Sequence, residues 1–254
     1  VLGLFITSPS QAATLASSQG IFKLDNFNQN SNAVRTFTDV NSLAIAPSGT
    51  VDASAQADAL FSNLPALASN TSLSQVTGDG SNYLGLAQSR AQVVGDFLTE
   101  AGQSFSFNFA GSLALATSTD NPQSEHARAT GSLSLLVFDS TNSAQPTLLD
   151  FLVISGQLVT FGAGDFLNFE KSQNITFDLG SPSFQQSFGS KQESAGASVK
   201  GSLQRSFASA TRLTIVEVNS NQASVKTVPE PSNLLALLFI GWLAVRIRAK
   251  AILA

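Results

Sequence analysis

The chain has no cysteine and no methionine, and among its 254 residues only one histidine, one tryptophan and one tyrosine. Without cysteine there can be no disulfide and no thiolate metal site, even in an oxidising compartment that would allow one. The single histidine, His126, excludes a histidine-rich zinc site and leaves one possible base for a Ser-His-Asp triad. Charge is also scarce: 12% of residues are charged, and the formal net charge is −4. Such a surface carries no electrostatic footprint for nucleic acid or for anionic lipid. Serine, asparagine, glutamine and threonine supply the polarity instead, and nineteen phenylalanines are the natural core material.

The middle of the chain repeats with a period of two. Val51 to Ala59 alternates small apolar with polar residues without exception, and Ser104 to Phe109 does the same with aromatics. From Ala127 to Leu135, and again from Ala195 to Leu203, the odd positions are apolar or glycine, with mostly polar partners between them. Each reads as a strand with one buried face. Leu148 to Ile154, Asn174 to Leu179 and Thr211 to Val218 are further strand candidates. Turn-rich stretches separate them: Pro47 to Gly49, Thr77 to Asn82, Asp120 to Pro122 and Gly162 to Asp165. Leu84 to Ala101 fits a helix face and Ala87 to Phe97 also fits alternation, but Gly85 and Gly95 would each cost a helix about 1 kcal/mol, which favours a strand. The expected class is all-β: a β-sandwich, jelly-roll-like, of one large domain. A faint echo links Glu125–Leu133 with Glu193–Leu203, as two strands built on one rule would.

No catalytic pattern stands out. His126 falls on the polar phase of its strand, and no Gly-x-Ser-x-Gly elbow accompanies it. The glutamates that could serve a glycosidase, Glu100, Glu125, Glu170, Glu193 and Glu217, are scattered, and nothing selects a pair. Glu217 lies in Thr214 to Val218, where alternation allows either face. Gly162-Ala163-Gly164 lacks the third glycine and following helix of a dinucleotide loop and reads as a turn. Oxygen-rich loops at Asp79, Ser81 and Asn82, and at Asp120 and Asn121, would suit a structural calcium, though Asp/Asn/Gly clusters are also ordinary turn formers. The expectation is no catalytic residue, no resident metal and no cofactor other than that calcium.

The C-terminal stretch carries the most specific signal. Val228-Pro229-Glu230-Pro231-Ser232 leads into the uncharged run Leu234 to Val245, followed by Arg246, Arg248 and Lys250. The prolines keep Pro-Glu-Pro extended. The apolar run spans about 18 Å as a helix, short of a bilayer core. A basic cluster at its end fits a cytoplasmic stop, and its side chains can snorkel to lengthen the span. A buried core helix is the alternative. In order and composition this tail resembles the PEP-CTERM sorting signal of bacterial surface proteins, cyanobacterial ones among them. The resemblance covers about the last twenty-five residues. It implies recognition of Pro229, Glu230, Pro231 and Ser232 by an exosortase-like membrane protease, transient insertion of the tail in the inner membrane, and a stop at Arg246, Arg248 and Lys250. Ala249 to Ala254 extends past the point where such tails usually end.

The N-terminus agrees with export. The apolar stretch Val1 to Ile6 precedes small residues at Ser10 and Ala12, the −3/−1 pattern of a signal-peptidase site cleaving before Ala13. The expected division is a signal-peptide remnant at 1–12, a β-sandwich ectodomain at 13–226 and a sorting segment at 227–254. Without the tail's charges, ten basic residues face sixteen acidic ones, a net of −6. The expected function is that of an exported, structural surface or matrix protein associated with exopolysaccharide or biofilm. It is first membrane-anchored, then at the cell surface or outside, and has no nucleic-acid partner. A lectin-like carbohydrate-binding module is the alternative, although Trp242 lies in the tail and Tyr83 stands alone as an aromatic platform. A secreted glycoside hydrolase is the third class.

Overall fold

The computed structural model describes residues 14–63, 65–160 and 162–227. The period-two pattern becomes eleven strands, with no helix among the described residues: β1 (Thr14–Asp25), β2 (Ala33–Asn63), β3 (Ala66–Thr99), β4 (Ser104–Ser118), β5 (Glu125–Asp139), β6 (Thr147–Thr160), β7 (Phe166–Lys171), β8 (Ile175–Phe177), β9 (Ser183–Ser187), β10 (Gln192–Ser206) and β11 (Thr211–Thr227). All pairings are antiparallel, and they join the strands into one sheet in the order β7-β6-β5-β11-β3-β1-β4-β10-β8, with β2 beside β3 and β9 beside β10. The all-β class is the expected one. The ambiguous segment from Leu84 is strand throughout, to the end of β3 at Thr99.

Two layers arise because this single sheet is folded through its longest strands. The first half of β3 pairs with β1 and the second half with β11, while β2 follows both halves along the other side. The stretches Pro47–Gly49 and Thr77–Asn82, expected to separate strands, are instead corners within continuous ones. Register shifts between Ile45 and Gly49 mark a bulge there, and bulges bend a strand and sharpen its twist. Gly49 (φ 135°) and Gly80 (φ 107°) meet at the bend, where a Cβ on Gly49 would lie 2.2 Å from the Asp79 carbonyl oxygen. Past the corner the halves of β3 face each other, Ser72 Oγ and Ser89 Oγ lying 2.7 Å apart. One layer is thus β2, β3, β1, β4 and β10, and the other β2, β3, β11, β5 and β6. β4 packs on β5 and β6, and β10 on β6 and β7. Phe169 of β7 meets Phe177 of β8 and Phe184 of β9, ring centroids 5.5 and 5.8 Å apart, so the two outer ends nearly close.

The interior is graded along the strands. At one end lies a large cluster rich in phenylalanine, including Phe22, Phe97, Phe105, Phe107 and Phe109. Phe27 caps it, its ring 5.2 Å from Phe97 and 5.3 Å from Phe107. At the corner end a smaller cluster of Ala16, Val76, Tyr83, Ala87, Ala127, Ala223 and Val225 fills the space. Glycine admits large partners from the opposite layer. A Cβ on Gly20 would lie 2.2 Å from Asn219 Oδ1, and one on Gly131 would lie 2.5 Å from Leu113. The echoing segments at Glu125 and Glu193 belong to β5 and β10, which lie in opposite layers and do not pair. No helix long and apolar enough to cross a membrane occurs among the described residues. The apolar run Leu234–Val245, expected as a transmembrane helix, lies outside the described residues.

Candidate functional site

Between the two apolar clusters runs a buried polar belt, built by the interior phases of β1, β3 and β11. Ser18, Asn70, Ser72, Ser74, Ser89, Asn219 and Asn221 all lie at 3% exposure or less. Asn221 ties the layers together: its Nδ2 donates to Ser72 Oγ (2.9 Å) and Asn219 Oδ1 (2.7 Å), and its side-chain oxygen accepts from Ser18 Oγ. Ser74 Oγ adds a bond to the Asn221 carbonyl at 3.0 Å.

Three acids sit on interior phases, and they are treated very differently. Asp150 accepts from Ser172 Oγ (2.7 Å) and Asn174 Nδ2 (3.0 Å) and pairs with the Arg205 guanidinium at 3.0 Å. Glu193 accepts from Thr160 Oγ1 (2.9 Å), Thr117 Oγ1 (3.2 Å) and the Gly189 amide (2.9 Å). Among the described residues, the fully buried Glu217 has no partner for either oxygen, and neither Asn70 side-chain atom nor Asn219 Nδ2 has one. Its ladder neighbours are Val93 and Leu135. Desolvation alone pushes the Glu217 pKa up to about 8, so the acid is held protonated at neutral pH.

Glu193 also belongs to a surface site. The loops after β4, β6 and β9 converge there on a groove of about 500 Å3 lined by Pro122, Gly162, Gly189, Ser190, Lys191 and Glu193. Asp165, whose carboxylate accepts from the Val159 amide at 2.7 Å, lies against the Glu193 carboxyl. Desolvation first, and then the Glu193 carboxylate, outweigh that amide bond and raise the Asp165 pKa.

A second depression, open and of about 490 Å3, crosses β2, β3 and β11, bordered by Asp39, Asn41, Gln88, Arg90, Ser220 and Gln222. The register places Asp39, Arg90 and Ser220 in one row and Asn41, Gln88 and Gln222 in the next but one. Such a set of amides, a hydroxyl and one charge of each sign can donate to and accept from a polyol.

Other residues singled out in the sequence fall as follows. His126, half-buried, sits opposite Lys226 in the ladder. Tyr83 is no platform: it is buried at the corner, its hydroxyl donating to Thr14 Oγ1 at 2.6 Å, and burial pushes its pKa up to about 12. Of the loops considered for calcium, the first is the β3 corner, where Ser81 Oγ bonds Ser48 Oγ at 3.1 Å. In the second, the Asp120 and Asn121 amides both donate to Glu125 Oε2 at 3.0 Å, which is turn chemistry. No group of three metal-ligating side chains occurs among the described residues. Ser10, Ala12, Ala13, Pro229, Glu230, Pro231, Ser232, Arg246, Arg248 and Lys250 lie outside the described residues. Sequence reading missed the Asp165–Glu193 contact and the burial of Asp150, Glu193 and Glu217. The signal was parity: Glu193 shares its phase with Ala195 and Ala197, Glu217 with Leu213 and Ile215, and Asp150 with Leu152 and Ile154.

Comparison with protein-family models, with curated proteins and with solved structures finds no match for this chain.

Proposed function

We propose that the chain is an exported surface or extracellular-matrix protein, structural rather than catalytic, with a PEP-CTERM-type tail read by an exosortase-like protease. The observation that carries this reading is the order of the tail, Pro229-Glu230-Pro231 before the uncharged run Leu234–Val245 and the basic Arg246, Arg248 and Lys250, with the small-residue pattern of Ser10 and Ala12 near the other end. The all-β body described from Thr14 to Thr227 lies between the two. Both ends of the body are fastened at one residue: the Tyr83 hydroxyl bonds Thr14 and the Tyr83 amide donates to Thr227 Oγ1 at 3.0 Å. The sorting motif begins two residues past Thr227, which is tied down. We read the folded sheet as a flattened, jelly-roll-like sandwich, with exopolysaccharide as its surroundings once released. Intact mass of the protein from culture medium and from cell envelope tests the reading. A released species starting at Ala13 and ending near Pro229–Ser232 is expected, and alanines at Pro229, Glu230 and Pro231 should leave the precursor in the membrane. Normal release of that variant would sink the proposal.

A second reading, carbohydrate binding, is favoured by the amide-lined depression of Asn41, Gln88, Arg90 and Gln222. It predicts that Gln88→Ala combined with Gln222→Ala lowers retention on neutral polysaccharide at least tenfold. Unchanged retention would dismiss it.

A further inference from the structure

We propose that the free edge of β2 is a homotypic interface, where a second copy of this chain pairs antiparallel through Ala33–Asn41. β2 is 31 residues long and, among the described residues, pairs only with β3, so its other edge offers unmet backbone donors and acceptors. Proteins blunt such edges with lysine, proline, bulges or shortness. From Ala33 to Ile45 there is no lysine, proline or bulge, and the only charges are Arg35 and Asp39. The interior is open along the same edge: Val40, on the phase that faces the opposite layer, is 51% exposed, and Phe37, on the outer phase, is 53% exposed.

The partner is identified by the sequence of the edge itself, which is complementary to its own reverse. With a two-fold axis at Phe37, Phe37 meets the partner's Phe37, Arg35, whose guanidinium also pairs with Asp96 of its own chain at 3.1 Å, meets the partner's Asp39, Thr36 meets the partner's Thr38, and Val34 meets the partner's Val40. Charges, aromatics and β-branched residues are each matched on the correct face, the pairs that stabilise neighbouring strands. The Arg35–Asp39 match occurs twice by symmetry, as an isologous interface requires. No shift by one or two residues keeps it. Phe37 and Val40, exposed in the single chain, both become covered.

The second layer agrees with the same axis. The Ser72–Ser89 contact sets Ala57 opposite Val40, because those residues are their β2 partners. Three positions further on, Phe37 therefore stands opposite Leu60, which is 52% exposed. An axis through Phe37 passes near Leu60, and the edges of both layers meet their counterparts together. Nine residues of ladder run about 30 Å. The edge of the second layer lengthens that contact toward the roughly 800 Å2 that a stable interface covers on each partner.

Sedimentation of the full chain, combined with cysteine placement, tests the proposal, because the chain has no cysteine of its own. A dimer is expected, and Phe37→Cys should cross-link under mild oxidation. Leu43→Cys, 43% exposed in the native chain, should not cross-link, since its mate lies about 40 Å away across the axis. Arg35→Asp should weaken the dimer at least tenfold by opposing two acids, and adding Asp39→Arg should restore it. A monomer overturns the proposal. So does cross-linking that fails at position 37 or is equal at 37 and 43. A dimer indifferent to Arg35→Asp is held by some other surface and overturns it too.

Discussion

Replacing Glu217 by glutamine should stabilise the protein, and by an amount that grows with pH. The side chain is fully buried without a hydrogen-bond partner, and its pKa rises from 4.5 to about 8. The unfolded chain releases this proton near its ordinary value, whereas the folded chain keeps it. Between those two pKa values the unfolded state binds fewer protons, so stability falls as pH rises, by about 1.4 kcal/mol per unit. Below pH 4.5 the acid is neutral in both states and the penalty is absent. At pH 7 it amounts to about 3 kcal/mol, a large part of an ordinary folding free energy. Glutamine has the same shape and no proton to lose, so the variant and the parent should agree near pH 4 and separate steadily up to pH 8. Urea unfolding at unit steps from pH 4 to 8, with the difference taken between the two proteins, isolates Glu217 from other titrating groups such as Asp165. Parallel curves across that range would refute the reasoning. They would mean that Glu217 ionises normally, through water or a partner that reaches it inside the belt.

Gly20→Ala should lower stability by about 2 kcal/mol or more in urea unfolding, since its Cβ would fall 2.2 Å from Asn219 Oδ1 in a packed interior. Arg205→Ala strips Asp150 of its ion pair but leaves the Ser172 and Asn174 donors. Its cost should be about 2 kcal/mol, below the 3–5 kcal/mol of a wholly buried pair because the arginine is partly exposed. Tyr83→Phe removes the bond to Thr14 and should cost about 1 kcal/mol, with faster amide exchange at the start of β1 as the local sign.

How much was legible follows from which residues speak locally. Alternation in Val51–Ala59, Ala127–Leu135 and Ala195–Leu203 announced strands and their buried faces, because the pleat imposes a period of two on any half-buried strand. It could not announce that β2 and β3 run on past Pro47–Gly49 and Thr77–Asn82. The residues that make a bulged corner are the ones that make a turn, and only the pairing partners distinguish the two. The carboxylates were a failure of a different kind. Asp150, Glu193 and Glu217 lie on apolar phases, but their donors come from Arg205, Thr117, Thr160 and Ser172, far away in sequence. For Glu217 there is no donor among the described residues. Composition argues against an unpartnered acid in a core, so parity alone was too weak a signal to overrule it.

The fastening of Thr14 and Thr227 at Tyr83 has a mechanical consequence. A pull applied after Thr227 along the strand axis loads β11, which is flanked along nearly its whole length by β3 and β5. Force in that direction shears the ladders, and all of their bonds resist together; a force across the strand would unzip them one at a time. The same end of the body holds the start of β1, the β3 corner and, through Glu125 opposite Thr227, the loop that borders the Asp165–Glu193 groove. The phenylalanine-packed end of the body lies at the opposite pole from the residues fastened at Tyr83 and from the Asp165–Glu193 groove.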